Sequence, residues 1–257
     1  MSARIAVLLS LLSLSARAED PLVADARRGF ILSWARARGT DGARPALAEL
    51  CRGDAKLLRK SLAQLADAYD DIGRFRDAAT VWRDLVNEAP RAPDSAMFQA
   101  RILWVVTLEG NRQRTVEQAV AMAQTLHDAE QQTGPDDPTL AGAMELAERE
   151  LSLLAVTWHR ERPDFDVEAA NRATDAIYQT YLRLFPTGDK SYQLRFFRAE
   201  LAFNELRDYR LAAQLYTDVF NEDIARKNAD PGAKPGKFME LAAYDAILAL
   251  DELAKGT

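Results

Sequence analysis

Apolar residues return at spacings of three and four along most of this chain, the period of helices with one buried face. The pattern predicts eleven helices, at 22–37, 43–52, 55–72, 75–88, 93–109, 114–132, 137–160, 167–185, 190–206, 208–226 and 237–254. Glycine and proline fall between these segments. Gly39 to Gly42, Gly73, Pro90 to Pro93, Gly110, Gly134-Pro135 and Pro186-Thr187-Gly188 each punctuate the pattern. The longest loop is Asp230-Pro231-Gly232-Ala233-Lys234-Pro235-Gly236. No run of alternating apolar and polar residues lies between turn signals, so the fold is read as all-α. Short turns between helices predict antiparallel hairpins stacked on one another.

Residues 59–92 show how the hairpins are built. Leu62, Leu65, Ala66 and Tyr69 share one helix, and Gly73 and Phe75 make the turn. Ala78, Trp82 and Leu85 share the next helix, and Pro90 ends it. A small residue at Ala78 lets the two helices approach, while Tyr69 and Trp82 fill the space between neighbours. This order of a large residue, a small one, Tyr, Ala, an aromatic and Pro resembles the tetratricopeptide repeat. Residues 193–226 repeat it: Phe203 precedes Ala212 by nine positions, as Tyr69 precedes Ala78, and Tyr216 follows Ala212 by four, as Trp82 follows Ala78. Two residues depart from the pattern there. Glu200 stands where a small residue is usual, and Ile224 where Pro is usual. Between these units the spacing is looser, with an extended turn at Gly110 to Arg114 and an insertion at Arg160 to Phe165. The division expected is a leader at 1–18, an N-terminal helical pair at 19–54 and a repeat domain at 55–257 with four hairpins.

The resemblance implies a right-handed superhelix whose inner wall comes from the first helix of each hairpin and holds a peptide or partner segment. Matched position by position, the wall consists of Lys60, Ala63, Asp67 and Asp70 in the first unit, and Met97, Arg101 and Trp104 in the next. In the last unit it consists of Leu194, Phe197, Leu201 and Asn204. The competing reading is that these aromatic and apolar residues only pack core. From Tyr178 to Leu253 the chain is also similar in style to envelope repeat proteins of Gram-negative bacteria. The outer-membrane-assembly, cell-division-coordinator and myxobacterial gliding families are examples. The likeness to the gliding family rests on Tyr178-Gln179-Thr180-Tyr181-Leu182-Arg183-Leu184-Phe185-Pro186 and on Glu240 to Ala246. The envelope resemblance implies partners among other envelope proteins, in motility, division or outer-membrane assembly.

The terminal helix is apolar around much of its circumference, and no second helix completes its hairpin. It is read as a plain cap, as the cut end of a longer array, or as a contact surface. The last reading puts Leu250 and Leu253 against a partner or a second copy.

Residues 1–18 carry Arg4, an apolar run from Ile5 to Leu14, and Ala16-Arg17-Ala18 before Glu19. This is the layout of a secretory leader cleaved after Ala18, and the lack of Cys at the cut argues against lipid attachment. The apolar run is too short to span a bilayer, and no later segment is apolar enough. The expected location is the periplasm. Without the leader, 31 basic residues face 39 acidic ones, a balance that argues against nucleic acid as a partner. Cys51 is the only cysteine and is expected to be a small buried apolar residue.

Chemistry is sparse. His127 and His159 are the only histidines, and neither has a second His or Cys at helical spacing, so no metal site is expected. Glu145, Glu148 and Glu150 read as a solvated face. No phosphate loop, nucleophile elbow or zinc-peptidase motif occurs, so neither an enzyme nor a cofactor is expected. The alternative is an accessory domain of peptidoglycan processing. The helical superhelix of soluble lytic transglycosylases is similar, and its catalytic domain is separate.

Overall fold

A computed structural model describes residues 21–161 and 166–255, so the leader expected at 1–18 lies outside the described residues. Among the described residues there are eleven helices. They are α1 (Pro21–Ala37), α2 (Ala43–Leu50), α3 (Ala55–Asp71), α4 (Phe75–Glu88), α5 (Pro93–Leu108), α6 (Arg112–Thr133), α7 (Pro138–Arg160), α8 (Val167–Leu184), α9 (Ser191–Asn204), α10 (Tyr209–Ala229) and α11 (Met239–Lys255). Every limit lies within three residues of the sequence expectation. The largest difference is at the end of α10, which continues to Ala229. Ile224 does not stop the helix as a proline would, and Asp230-Pro231 does.

The helix starts are set locally. Asp54, Asn111, Asp137 and Asp208 each accept a hydrogen bond from a backbone N–H in the first turn that follows, at 2.9–3.0 Å. Each therefore satisfies a donor that the helix itself cannot. Pro93 and Pro138 occupy the first helical position, where a missing N–H costs nothing. Gly134 closes α6 at φ 83°, a conformation that an L side chain would strain.

The contacts divide the chain into two compact units, with the boundary inside α4 between Val81 and Trp82. In the first, α1 and α2 both pack on α3. Tyr69, wholly buried, donates its hydroxyl to the Gly39 carbonyl at 2.7 Å. Arg74 lies 4.9 Å above the Tyr69 ring and donates to the carbonyls of Ala35 (2.9 Å) and Arg38 (2.5 Å). The glycine-bounded loop after α1 is thus held by two side chains thirty or more residues away. Cys51 is buried, with its Sγ 3.6 Å from Ser61 Oγ.

In the second unit each helix packs on the next, and α5, α6 and α7 also pack on the helix two places further along. Alanines at the crossings, among them Ala100, Ala119, Ala147 and Ala199, have no exposed surface. Gly142 of α7 lies close to the Met97 side chain, whose Cε a Cβ there would meet at 3.4 Å, an ordinary contact distance. Larger groups fill what the alanines leave. Ile177, Tyr178, Tyr181 and Leu194 form one core, and Phe196, Tyr216 and Phe238 anchor another beneath α11. The Phe196 and Phe238 rings stack at 4.3 Å, which fixes where α11 begins.

Candidate functional site

Because α5 packs on α7 and α7 on α9, the last turns of these three alternate helices lie side by side and leave two hollows. The hollows adjoin, sharing Trp158 and Glu161 as a common wall. The first has a volume of about 300 Å³ and lies between Trp104, Thr107 and Leu108 of α5 and Leu153, Thr157 and Trp158 of α7. Trp104 is 36% exposed, Leu108 56% and Leu153 61%, so three large apolar groups border one concavity while open to solvent. Single exposed leucines are ordinary on a protein surface; a cluster around a hollow is not.

The common wall is fixed by charge. The Arg112 guanidinium lies 4.5 Å from the centre of the Trp158 ring and donates to Thr174 Oγ1 at 3.2 Å. It also pairs with Glu161 at 2.7 Å. Glu161 is therefore already matched by a cation.

The second hollow, of about 400 Å³, is lined differently. His159, Asn171, Glu200, Asn204 and Glu205 give it polar walls, and Leu201 and Val167 give it apolar ones. The His159 ring stacks on Phe197 at 4.5 Å, nearly parallel, with Nε2 3.6 Å from a Glu200 oxygen. Its Nδ1 is buried and has no hydrogen-bond partner among the described residues. Asn171 donates to Glu205 at 3.5 Å. Glu200 extends its influence into the core. Burial raises the Tyr178 and Tyr216 hydroxyls above their ordinary value, and the Glu200 charge adds to both shifts. Asp245 on α11 is raised in the same way, first by desolvation and then by Glu200.

Of the residues the sequence pointed to, Trp104 lines the first hollow, and Leu201 and Asn204 line the second. Leu194 is corrected: it is wholly buried in the core and presents nothing to a partner. It sits in the first turn of α9, which is covered, whereas the last turn is open. Phe197 is half-buried between His159 and Phe238 and supports the hollow rather than lining it. Met97 packs on the core, and the Arg101 guanidinium lies 5.4 Å from the Trp82 ring; neither borders a hollow. Leu250 is exposed and Leu253 partly buried, both on α11. Glu148 and Glu150 are not the solvated face expected. Glu148 accepts the Tyr181 hydroxyl at 2.7 Å, and Glu150 borders the first hollow. Leu108, Leu153, Asn171 and Glu205 were not foreseen. Only Glu200 carried a signal, as the large charged residue at a position patterned for a small one.

Among the described residues no three His, Cys, Asp or Glu side chains converge as a metal site requires, and no helix is long and apolar enough to cross a membrane. No protein-family model matches the chain, and no curated protein matches it.

Proposed function

We propose that this chain is a non-catalytic scaffold of the tetratricopeptide type, exported to the periplasm by cleavage after Ala18. In this reading it holds other envelope proteins through a peptide segment bound against alternate helices. One observation carries the proposal: Trp104, Leu108 and Leu153 stand exposed around a single hollow between α5 and α7. Water against such a surface is displaced favourably by an apolar side chain, at about 25 cal/mol per Å² removed from water. The packing of helices on next-nearest as well as nearest neighbours supports the repeat reading, as do the wholly buried Ala78 and Trp82. The hairpins are taken to wind as a right-handed superhelix, with the first helices inward. We also assign the exposed stripe of Leu241, Tyr244, Ile247 and Leu250 on α11 to pairing with a second copy.

The test of the groove is affinity purification from the periplasm of the native host, with the chain and its Leu153→Lys variant as baits. Proteins retained by the first and lost by the second are groove partners. If the variant is folded by circular dichroism and retains the same proteins, the groove is not where they bind. N-terminal sequencing of the native protein should begin at Glu19; retention of Met1 would remove the export reading.

A further inference from the structure

We infer that the second hollow is a cation-recognising subsite, so that the bound segment carries a lysine or arginine beside the apolar residue seated in the first hollow. The inference rests on the groove reading above and adds the chemistry of its ligand.

The two hollows share a wall, so a chain lying along the helix ends occupies both at once. In the first, the large exposed side chains are Trp104, Leu108 and Leu153, all apolar, and the one exposed carboxylate, Glu161, is paired with Arg112. In the second, two carboxylates face the space, and among the described residues neither meets a strong counter-charge. Among the described residues, Glu205 pairs with no lysine or arginine, and Glu200 meets only His159, at 3.6 Å. Arg112, which braces the common wall, is engaged by Glu161 and by the Trp158 ring. The remaining walls suit the rest of a basic side chain. Asn171 and Asn204 bring amide oxygens that accept hydrogen bonds, and Leu201, Val167 and Trp158 bring apolar surface for the methylene stem. An ammonium or guanidinium would supply the donors this arrangement lacks.

Other ligand classes fit less well. A carboxylate or phosphate would meet Glu200 and Glu205 as like charges. A metal ion requires three or four converging ligands, which no group of described residues provides. The chain's formal charge of −6 favours encounter with cationic segments over anionic ones.

The experiment is selection of a phage-displayed library of random peptides on the immobilised protein, followed by fluorescence anisotropy with synthetic copies of enriched sequences. Enriched peptides should carry Lys or Arg within a few positions of Leu, Ile, Phe, Met or Trp. Glu205→Gln, at an exposed site with no structural bond of consequence, and the Glu200→Gln/Glu205→Gln pair should weaken them, the pair by about tenfold or more. Replacing the peptide's basic residue by norleucine should weaken binding to the unaltered protein similarly and have little effect on the pair variant. Affinity should also fall as salt rises. Apolar peptides enriched without a basic residue, or basic peptides bound equally by the pair variant, would overturn the cationic subsite while leaving the groove intact. Failure to enrich any peptide, or hits bound equally by Leu153→Lys, would overturn the groove reading and this inference with it.

Discussion

Substituting Gly236 by alanine should loosen the attachment of α11 far more than a single methyl group suggests. Asp223, in α10, is almost wholly buried, with its side chain 1% exposed. Its Oδ1 accepts the Gly236 N–H at 2.7 Å, and its Oδ2 accepts the Tyr192 hydroxyl at 2.5 Å. The Tyr192 oxygen in turn accepts the Phe238 N–H at 3.1 Å, and Arg226 pairs with Asp223 at 3.0 Å. The loop that leads into α11 is therefore pinned by its backbone to a buried carboxylate. A Cβ on Gly236 would fall well inside 3.0 Å of both Asp223 and the Tyr192 hydroxyl, closer than real Cβ atoms come. Something must move, and every neighbour is part of the network. Overpacking costs roughly 1–3 kcal/mol. Loss of a hydrogen bond to a charged acceptor costs roughly 1.5–3 kcal/mol. The two overlap, since moving the loop relieves the clash by breaking the bond, so the expected loss is about 2–4 kcal/mol. At about 2–4 °C per kcal/mol for a unit of this size, the melting midpoint by circular dichroism should fall by roughly 4–16 °C. Hydrogen exchange should show the loss concentrated in α11, whose strongest packing is on α10. A variant that melts within a degree of the unaltered protein, with α11 still protected, would refute the pinning argument.

Three further outcomes are expected. Trp82→Ala should cost about 3–5 kcal/mol and Ala78→Leu about 1–3 kcal/mol, because both positions have no exposed surface; unchanged denaturant midpoints for both would show the repeat register to be wrong. Tyr192 is pushed up to about 12, chiefly by burial and then by its bond to Asp223, so its stabilising effect is whole below pH 10 and lost as pH rises through about 12. Phenolate absorbance of the folded protein should lag behind that of the denatured chain over this range, and a titration with no lag would count against the buried network. Finally, replacing Leu250 and Leu253 with Lys should convert a dimer to a monomer in sedimentation equilibrium; an unaltered protein that is already monomeric at all concentrations would leave α11 a plain cap.

The helices were legible because what defines them is local. A glycine with positive φ, a proline at the first helical position, or an aspartate accepting from the first turn acts within four residues, and each such signal stands in the sequence at its place. Apart from the i,i+3 pair of Asp223 and Arg226, the network around Asp223 was not legible, because its hydrogen bonds join residues 13 to 46 positions apart and no spacing rule links them. The same holds for Tyr181 and Glu148, 33 residues apart. The groove was half legible. Matching to the repeat pattern, which the resemblance supplied, pointed to Trp104 on α5 and to Leu201 and Asn204 on α9. It could not tell that the face is covered in the first turn of α9 and open in the last. That depends on which neighbours reach each turn, so Leu194 was misplaced and Leu153 overlooked.

Glu200 links these strands, since a residue that breaks its local rule is where stability and function should part. The repeat pattern puts a small residue there, and the carboxylate brings its charge among Tyr178, Tyr216 and Asp245. Asp245 is raised by that charge after desolvation, a sign of two acids disfavouring one another across α9 and α11. Among the described residues His159, at 3.6 Å, is the one charged or ionisable partner of Glu200. Glu200→Ala would restore the patterned small residue, improve helix propensity and remove the repulsion, at the loss of that single partly exposed contact. Its expected effect is a melting midpoint equal to or above that of the unaltered protein, together with a loss of affinity for basic peptides. Such a pairing is the mark of a site kept for binding at some cost to the fold. A variant that melts several degrees lower would show instead that Glu200 holds α9 in place, and its departure from the pattern would then be structural.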